Sequence, residues 1–413
     1  MFAFWRRSRK ISISRPLLAR SACLLGLALV ALLVLRSTSA RAAEPVVIGQ
    51  HYKVHSAVLQ EDRGYSVALP ASYRWASDRR YPVLFMLDGE SRFGHTATAV
   101  ETLASAGEIP EMIVVGVDST QRTRDFTPTN WEAIVGGGGA DRFRRFLATE
   151  LIPAVEKALR SNGYRILSGH SLGGLFALSC LSTEPSLFRA YLAIAPTLDW
   201  DRNAALRLLQ KTWAADGTNR AFVNAFAYLA RADDAGQALA DFEALGATFK
   251  AKAPPGLRWH AAAFPDETHS SVPLVAQIDA LRRLYLGYRL HPDDYAKGLA
   301  FAEAHFARLS GLIGAPLPIP EDALFGIADE LLQRDPSEAL RLFQRTLDSN
   351  PNSADAHLGV ANALAKNGRW EAAAREADRA VALAAEYLPL PMQAVYRRYA
   401  AKIKSSPRPT GAR

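Results

Sequence analysis

An α/β fold with a largely parallel sheet is predicted for most of this 413-residue chain, on three observations. Between about residues 50 and 290, short β-branched runs alternate with stretches of helical spacing, the pattern of strand–helix–strand units. Two of the runs, Tyr81–Leu87 (YPVLFML) and Met112–Asp118 (MIVVGVD), are almost continuously apolar, as strands covered on both faces are. The composition, 49% hydrophobic, belongs to a chain that builds a large core rather than a disordered one.

The elements follow in order. Residues 1–42 have three zones: a basic region from Arg6 to Arg20, an apolar run of twelve residues from Leu24 to Leu35, and Ala40-Arg41-Ala42. This is the layout of a signal peptide cleaved near Ala42, and the run is short for a membrane span. The alternative is an uncleaved N-terminal anchor. Export to the periplasm or the medium is therefore expected, with membrane contact only transient, through the signal peptide. Cys23 leaves with the leader, so Cys180 stands alone and no intrachain disulfide forms in the mature chain. On its apolar helical stretch Cys180 reads as a buried small residue.

Residues 43–290 form the main domain. Val54–Leu59 and Tyr65–Leu69 read as a first strand pair, followed by the two buried strands named above. Arg142–Leu159 has helical spacing, with Gly163 as a stop signal. Tyr164–Ser168 is a strand, a helix starts at Leu172, and Ala190–Ala195, Phe222–Ala230 and Arg258–Phe264 complete eight strands. Asp234–Lys250 and Pro273–Leu286 read as helices. Residues 291–320 are a helical linker, with a helix from Pro292 to Leu309 and a Gly- and Pro-rich stretch after it. Residues 321–386 contain an internal repeat at an offset of 33 residues: Gly326 matches Gly359, Ala328 matches Ala361, Leu331 matches Leu364 and Glu338 matches Glu371. Each half reads helix–turn–helix, like a tetratricopeptide repeat. Two such units are too few for a free solenoid, so a C-terminal cap completing a core is favoured over a partner-binding groove, though a protein partner there is one reading. Residues 387–413 are a basic tail, expected to fray.

The net charge of +8 suggests an anionic partner until it is located. The first 42 residues hold eight basic side chains and no acid; the tail from Tyr387 holds six more and no acid, which leaves residues 43–386 at −6. Nucleic-acid binding loses its support. No cluster of Cys, His and carboxylates has metal-ligand spacing, so neither a metal nor a cofactor is expected. The four-glycine run Gly136–Gly139 lacks the Lys-Ser/Thr ending of a phosphate loop and reads as a flexible loop at a site rim.

The chemistry concentrates in Gly169-His170-Ser171-Leu172-Gly173-Gly174, which follows a strand and opens a helix. That is the context of a nucleophile elbow and of the α/β-hydrolase fold, in which small residues flank a serine on a tight turn. Ser171 is the expected nucleophile, and the Leu172 N–H points at a developing oxyanion. A serine needs a base. Among nine histidines, only His269 lies after the nucleophile and in a loop between the last strand and last helix of the main domain; His170 reads as packing. The acid is expected after Phe222–Ala230, where Asp233 and Asp234 stand, with Asp233 slightly favoured and helix capping as the alternative role for either. A second oxyanion donor is expected from the N–H of Gly89 or Glu90, and Asp88 reads as structural.

These pieces together resemble the esterase family of α/β-hydrolases that includes enterochelin esterases, esterase D and mycolyltransferases. The matching segments are Leu87-Asp88-Gly89-Glu90, Val115-Gly116-Val117-Asp118, Arg122–Pro128, Gly169–Gly174 and His269-Ser270-Ser271-Val272-Pro273. The C-terminal part is similar to a variant in which this domain precedes tetratricopeptide-like helices. The resemblance implies an eight-stranded, mostly parallel sheet with helices on both faces, followed by a small all-α region. It also implies a serine esterase working through an acyl-enzyme, with Ser171 as nucleophile and His269 as base. Arg231-Ala232-Asp233-Asp234 departs from the family's glycine–acid pattern, which leaves open both the acid and a Ser–His pair. Arg124 and Asp125 are implied to pair with each other. The expected substrate is a siderophore ester or another small acyl ester; the alternatives are an acyltransferase with the same triad, or a scaffold protein working through its repeats.

Overall fold

The computed structural model describes residues 45–214 and 222–405; the leader predicted for residues 1–42 lies outside the described residues. Eight strands form one sheet: β1 (Gln50–Ser56), β2 (Glu61–Ala68), β3 (Tyr81–Leu87), β4 (Ile113–Val117), β5 (Ser161–His170), β6 (Ala190–Ile194), β7 (Phe226–Arg231) and β8 (Arg258–Ala263). Their order is β1-β2-β4-β3-β5-β6-β7-β8. β1, β2 and β4 pair antiparallel; from β4 to β8 every pairing is parallel. The parallel strands all end on one edge, where an open α/β sheet presents its ligand-facing loops.

Alternation along the strands explains the apolar runs. In β3, Val83, Phe85 and Leu87 enter one core, while Leu84 and Met86 enter the other. The first core is closed by α3 (Ala140–Phe146), α4 (Ile152–Ala158), α5 (Leu172–Thr183), α6 (Ala204–Ala214) and α7 (Gly236–Lys252), with a π-helical turn, Leu147–Leu151, between α3 and α4. Phe126, Phe143, Phe146 and Phe176 meet there in tilted and edge-on contacts. Phe126 ends the short α2 (Arg122–Phe126), and Cys180 is buried in this core as expected.

The second core is closed by α1 (Gly89–Ser105) and α8 (Val272–Leu284), then continues without interruption into the C-terminal helices. The helix predicted from Pro292 is broken in two, α9 (Pro292–Tyr295) and α10 (Leu299–Ile313), because Gly298 adopts a φ of 81°. Two helix pairs follow: α11 (Glu321–Leu332) with α12 (Pro336–Ser349), and α13 (Ala354–Lys366) with α14 (Trp370–Tyr387). The repeated glycines have one job. A Cβ on Gly359 would lie 2.4 Å from the Phe343 ring, and one on Gly326 would lie 2.3 Å from the Tyr295 ring. Each repeat thus seats an aromatic ring from an earlier helix, Phe343 of α12 on Gly359 and Tyr295 of α9 on Gly326. Because Leu309, Ile327, Leu342 and Leu364 share a core with Tyr228 and Leu281, the helical region completes this face of the α/β domain. The stretch expected to fray is in fact helical over α15 (Leu390–Ser405): Tyr396 and Ala400, four residues apart, are buried against the preceding helices.

Candidate active site

Ser171 sits between the last residue of β5 and the first of α5, at φ 60°, ψ −119°, a strained conformation for a residue with a side chain. The turn is so tight that a Cβ on Gly169 would stand 2.1 Å from the Gly173 carbonyl oxygen. A Cβ on Gly174 would fit more easily, 3.0 Å from Pro196 Cα. The Ser171 N–H donates to Ile194 O at 2.9 Å, and the Thr197 N–H donates to Ser171 O at 3.1 Å, so the turn is laced to the end of β6. Ser171 Oγ lies 3.1 Å from Thr197 Oγ1.

Two helix starts converge on this edge. Leu172 is the first residue of α5, and Gly89 and Glu90 are the first two of α1; N–H groups at these positions have no intrahelical acceptor. The amides around them are occupied: Asp88 N–H donates to Ser119 Oγ at 3.1 Å, and Ser91 and Arg92 donate to Asp88 O at 3.1 and 3.0 Å. Gly89 must be glycine, since a Cβ would lie 2.5 Å from the Gly116 carbonyl carbon. Asp88 is structural, as expected. It is buried in the left-handed region at φ 58° and accepts from Arg122 Nε and Nη2 at 2.8 and 3.2 Å; Arg122 Nη2 also donates to His170 O at 3.0 Å. One guanidinium therefore ties the β3–α1 turn to the elbow.

His269 lies in the loop between β8 and α8, which Thr268 and Ser271 close by hydrogen bonds between their backbones and hydroxyls. Its ring packs on the His170 ring, centroids 4.6 Å apart at 48°. Among the described residues no hydrogen bond joins the His269 ring to Ser171 or to either candidate acid; the Ser171 hydroxyl turns to Thr197 instead. Such contacts are commonly loose in a substrate-free site. Burial holds the His269 imidazole below its ordinary range; Arg122 and Arg92 add to this, and the Asp234 charge opposes it. The His269 ring is thus neutral, with a free lone pair, at neutral pH.

Of the two acids, Asp234 is the one whose field reaches His269. Asp233 is exposed, and its N–H donates to Glu267 O at 2.9 Å, holding the β7 and β8 loops together. Neither acid caps a helix, since the N-cap of α7 is Ala235.

Sequence reasoning missed Thr197, Arg92 and the tie through Arg122, all brought in by strand ends and helices remote in the chain. The Arg124–Asp125 pairing is present at 2.7 Å, joined by the fully buried Arg63, which also contacts Asp125. The glycine run is packed from Gly137 to Gly139 and open at Gly136: a Cβ on Gly137 would lie 2.7 Å from Trp200, and Gly138 N–H donates to Thr127 Oγ1 at 2.8 Å.

Comparison with known proteins gives the following. The family model described as "Putative esterase" matches residues 56–235, and a tetratricopeptide-repeat model matches residues 327–387. The ferri-bacillibactin esterase BesA of Bacillus subtilis is 33% identical over 168 residues, 36% of this chain and 58% of that protein. The chain thus spans a little over half the length of this curated relative. A solved structure, an IroE-like serine hydrolase from Shewanella oneidensis, is 30% identical with a TM-score of 0.63, covering 70% of this chain and 96% of that one. An uncharacterised protein from Capnocytophaga ochracea, 18% identical, shares the fold over 87% of this chain and all of its own length, at a TM-score of 0.56.

Proposed function

Because the chain belongs to the esterase family of α/β-hydrolases, we propose that it is an exported serine hydrolase that cleaves carboxylic esters, siderophore esters being the substrate class, through an acyl-serine intermediate. The observation that carries this reading is the strained backbone of Ser171 on a turn whose preceding Gly169 has no room for a Cβ. Oγ stands at the sheet edge where α5 starts at Leu172 and α1 at Gly89 and Glu90, whose N–H groups are the proposed oxyanion donors. His269, neutral at working pH, takes the Ser171 proton as Oγ attacks the ester carbonyl. The tetrahedral oxyanion is received by the Leu172 N–H and by a Gly89 or Glu90 N–H. Collapse expels the alcohol, which takes the proton from His269; a water then repeats the sequence on the acyl-serine. Asp234 stabilises the imidazolium in both halves, acting through its charge on the ring. The siderophore reading is supported by the activity named for the Bacillus relative, and export by the three-zone leader of the sequence. The test is hydrolysis of p-nitrophenyl esters and of a catecholate tri-ester by purified protein and by Ser171→Ala. Wild-type turnover with none in the variant supports the reading. Equal turnover by the two would remove Ser171 from the chemistry, and no turnover of any ester by wild type would remove the activity.

A further inference from the structure

His170, which the mechanism above does not use, is bonded at both ring nitrogens. Nε2 is 2.7 Å from the His269 backbone oxygen and Nδ1 is 3.0 Å from Arg92 Nη2. A carbonyl oxygen only accepts and a guanidinium only donates, so one arrangement satisfies both: Nε2 carries the proton and Nδ1 the lone pair. We propose that His170 is a positioning residue, a neutral Nε2–H imidazole splint that fixes the loop carrying His269 against the turn carrying Ser171. The inference rests on the reading of Ser171 and His269 as nucleophile and base.

The geometry favours this over simple packing. His170 precedes Ser171 in the chain, so any displacement of its ring is shared between the nucleophile's backbone and the base's backbone. Arg92 is a half-buried cation whose Nε is buried without a partner, and among the described residues its side-chain hydrogen bond goes to His170 Nδ1. Burying a guanidinium that way is costly, and here it dictates the tautomer of one ring. Arg122 holds the same residue from the other side through its carbonyl oxygen at 3.0 Å. Burial and the two arginines push the ring's pKa down to about 3, in keeping with a group that stays neutral. The bond to the His269 oxygen, with the ring contact, is what reaches from the elbow to a loop otherwise held by its own Thr268–Ser271 turn and by the Asp233–Glu267 main-chain bond.

The test compares His170→Phe, which fills the space without a donor, with His170→Gln, whose Nε2–H can reach the same carbonyl. Expected on a p-nitrophenyl ester is a kcat at least tenfold lower for the Phe variant, with KM within about twofold and a similar melting temperature, and recovery to within about threefold of wild type in the Gln variant. Equal losses in both variants, or none in either, would overturn the proposal. Should the Phe variant fail to fold, ¹⁵N-histidine NMR of wild type decides. A resonance lost in the Gln variant that reports a neutral Nε2–H ring from pH 7 to 5 supports the splint; an Nδ1–H or a titrating ring overturns it. The NMR result is independent of turnover, so an inactive wild type would count against the esterase reading and not against the splint.

Discussion

The turn bearing Ser171 and the loop bearing His269 are built by opposite means. At Ser171 the backbone is strained, Gly169 before it has no room for a methyl group, and main-chain hydrogen bonds lace the turn to the end of β6. At His269 the loop is exposed, closed by a Thr268–Ser271 turn, and joined to the elbow by one imidazole. The difference follows from chemistry. A nucleophile must hold one trajectory and one relation to its oxyanion donors, whereas a base exchanges a proton between serine, leaving group and water and needs some freedom. Geometry at the first site is bought with backbone strain; at the second it is lent by neighbouring side chains.

Substitutions at the two sites should separate rigid geometry from borrowed support. Ser171→Ala should lower kcat on a p-nitrophenyl ester by about 10⁴-fold or more, with a melting temperature close to wild type, because the hydroxyl's hydrogen bond is to one threonine; calorimetry beside the assay separates the two effects. Gly169→Ala should cost stability as well as activity. Its methyl would meet a backbone carbonyl that cannot rotate away, and a loss of about 3 kcal/mol in urea denaturation is expected. If it were tolerated, the turn would be less rigid than described. Asp234→Asn should lower kcat by about 10- to 100-fold and leave stability unchanged. Asp233→Asn should change kcat less than about twofold, since its contribution to the loop is a main-chain bond.

The pH profile carries its own sign. His269 is held below its ordinary value of 6.5, so the active neutral form persists as the pH falls and the acid limb of kcat/KM lies below that value. Asp234 favours the charged ring. Its removal should therefore move the limb to still lower pH, and a shift upward would mean that another group titrates.

Much of this was legible in the sequence, for reasons visible in particular residues. β3 was read at its true ends because Val83, Phe85 and Leu87 serve one core while Leu84 and Met86 serve the other, leaving no polar gap. β1 was read late, from Val54, because most of its residues face solvent and carry no apolar signal. β7 was read early because Phe222 and Ala225 are apolar yet lie in the turn before it. The basic composition after Tyr387 hid the spacing of Tyr396, Ala400 and Ile403, which is that of a helix face. In the site, the serine and its glycines were legible because a tight turn restricts residue type. Thr197, Arg92 and the bonded state of His170 were not, since each depends on which remote element ends beside the elbow.

The most direct test of the account is reaction with a fluorophosphonate followed by intact-mass and peptide mass spectrometry on wild type and His269→Gln. The account predicts a single adduct on Ser171 whose rate of formation falls at least 100-fold in the variant. No adduct on Ser171, or one formed equally fast without His269, would contradict it.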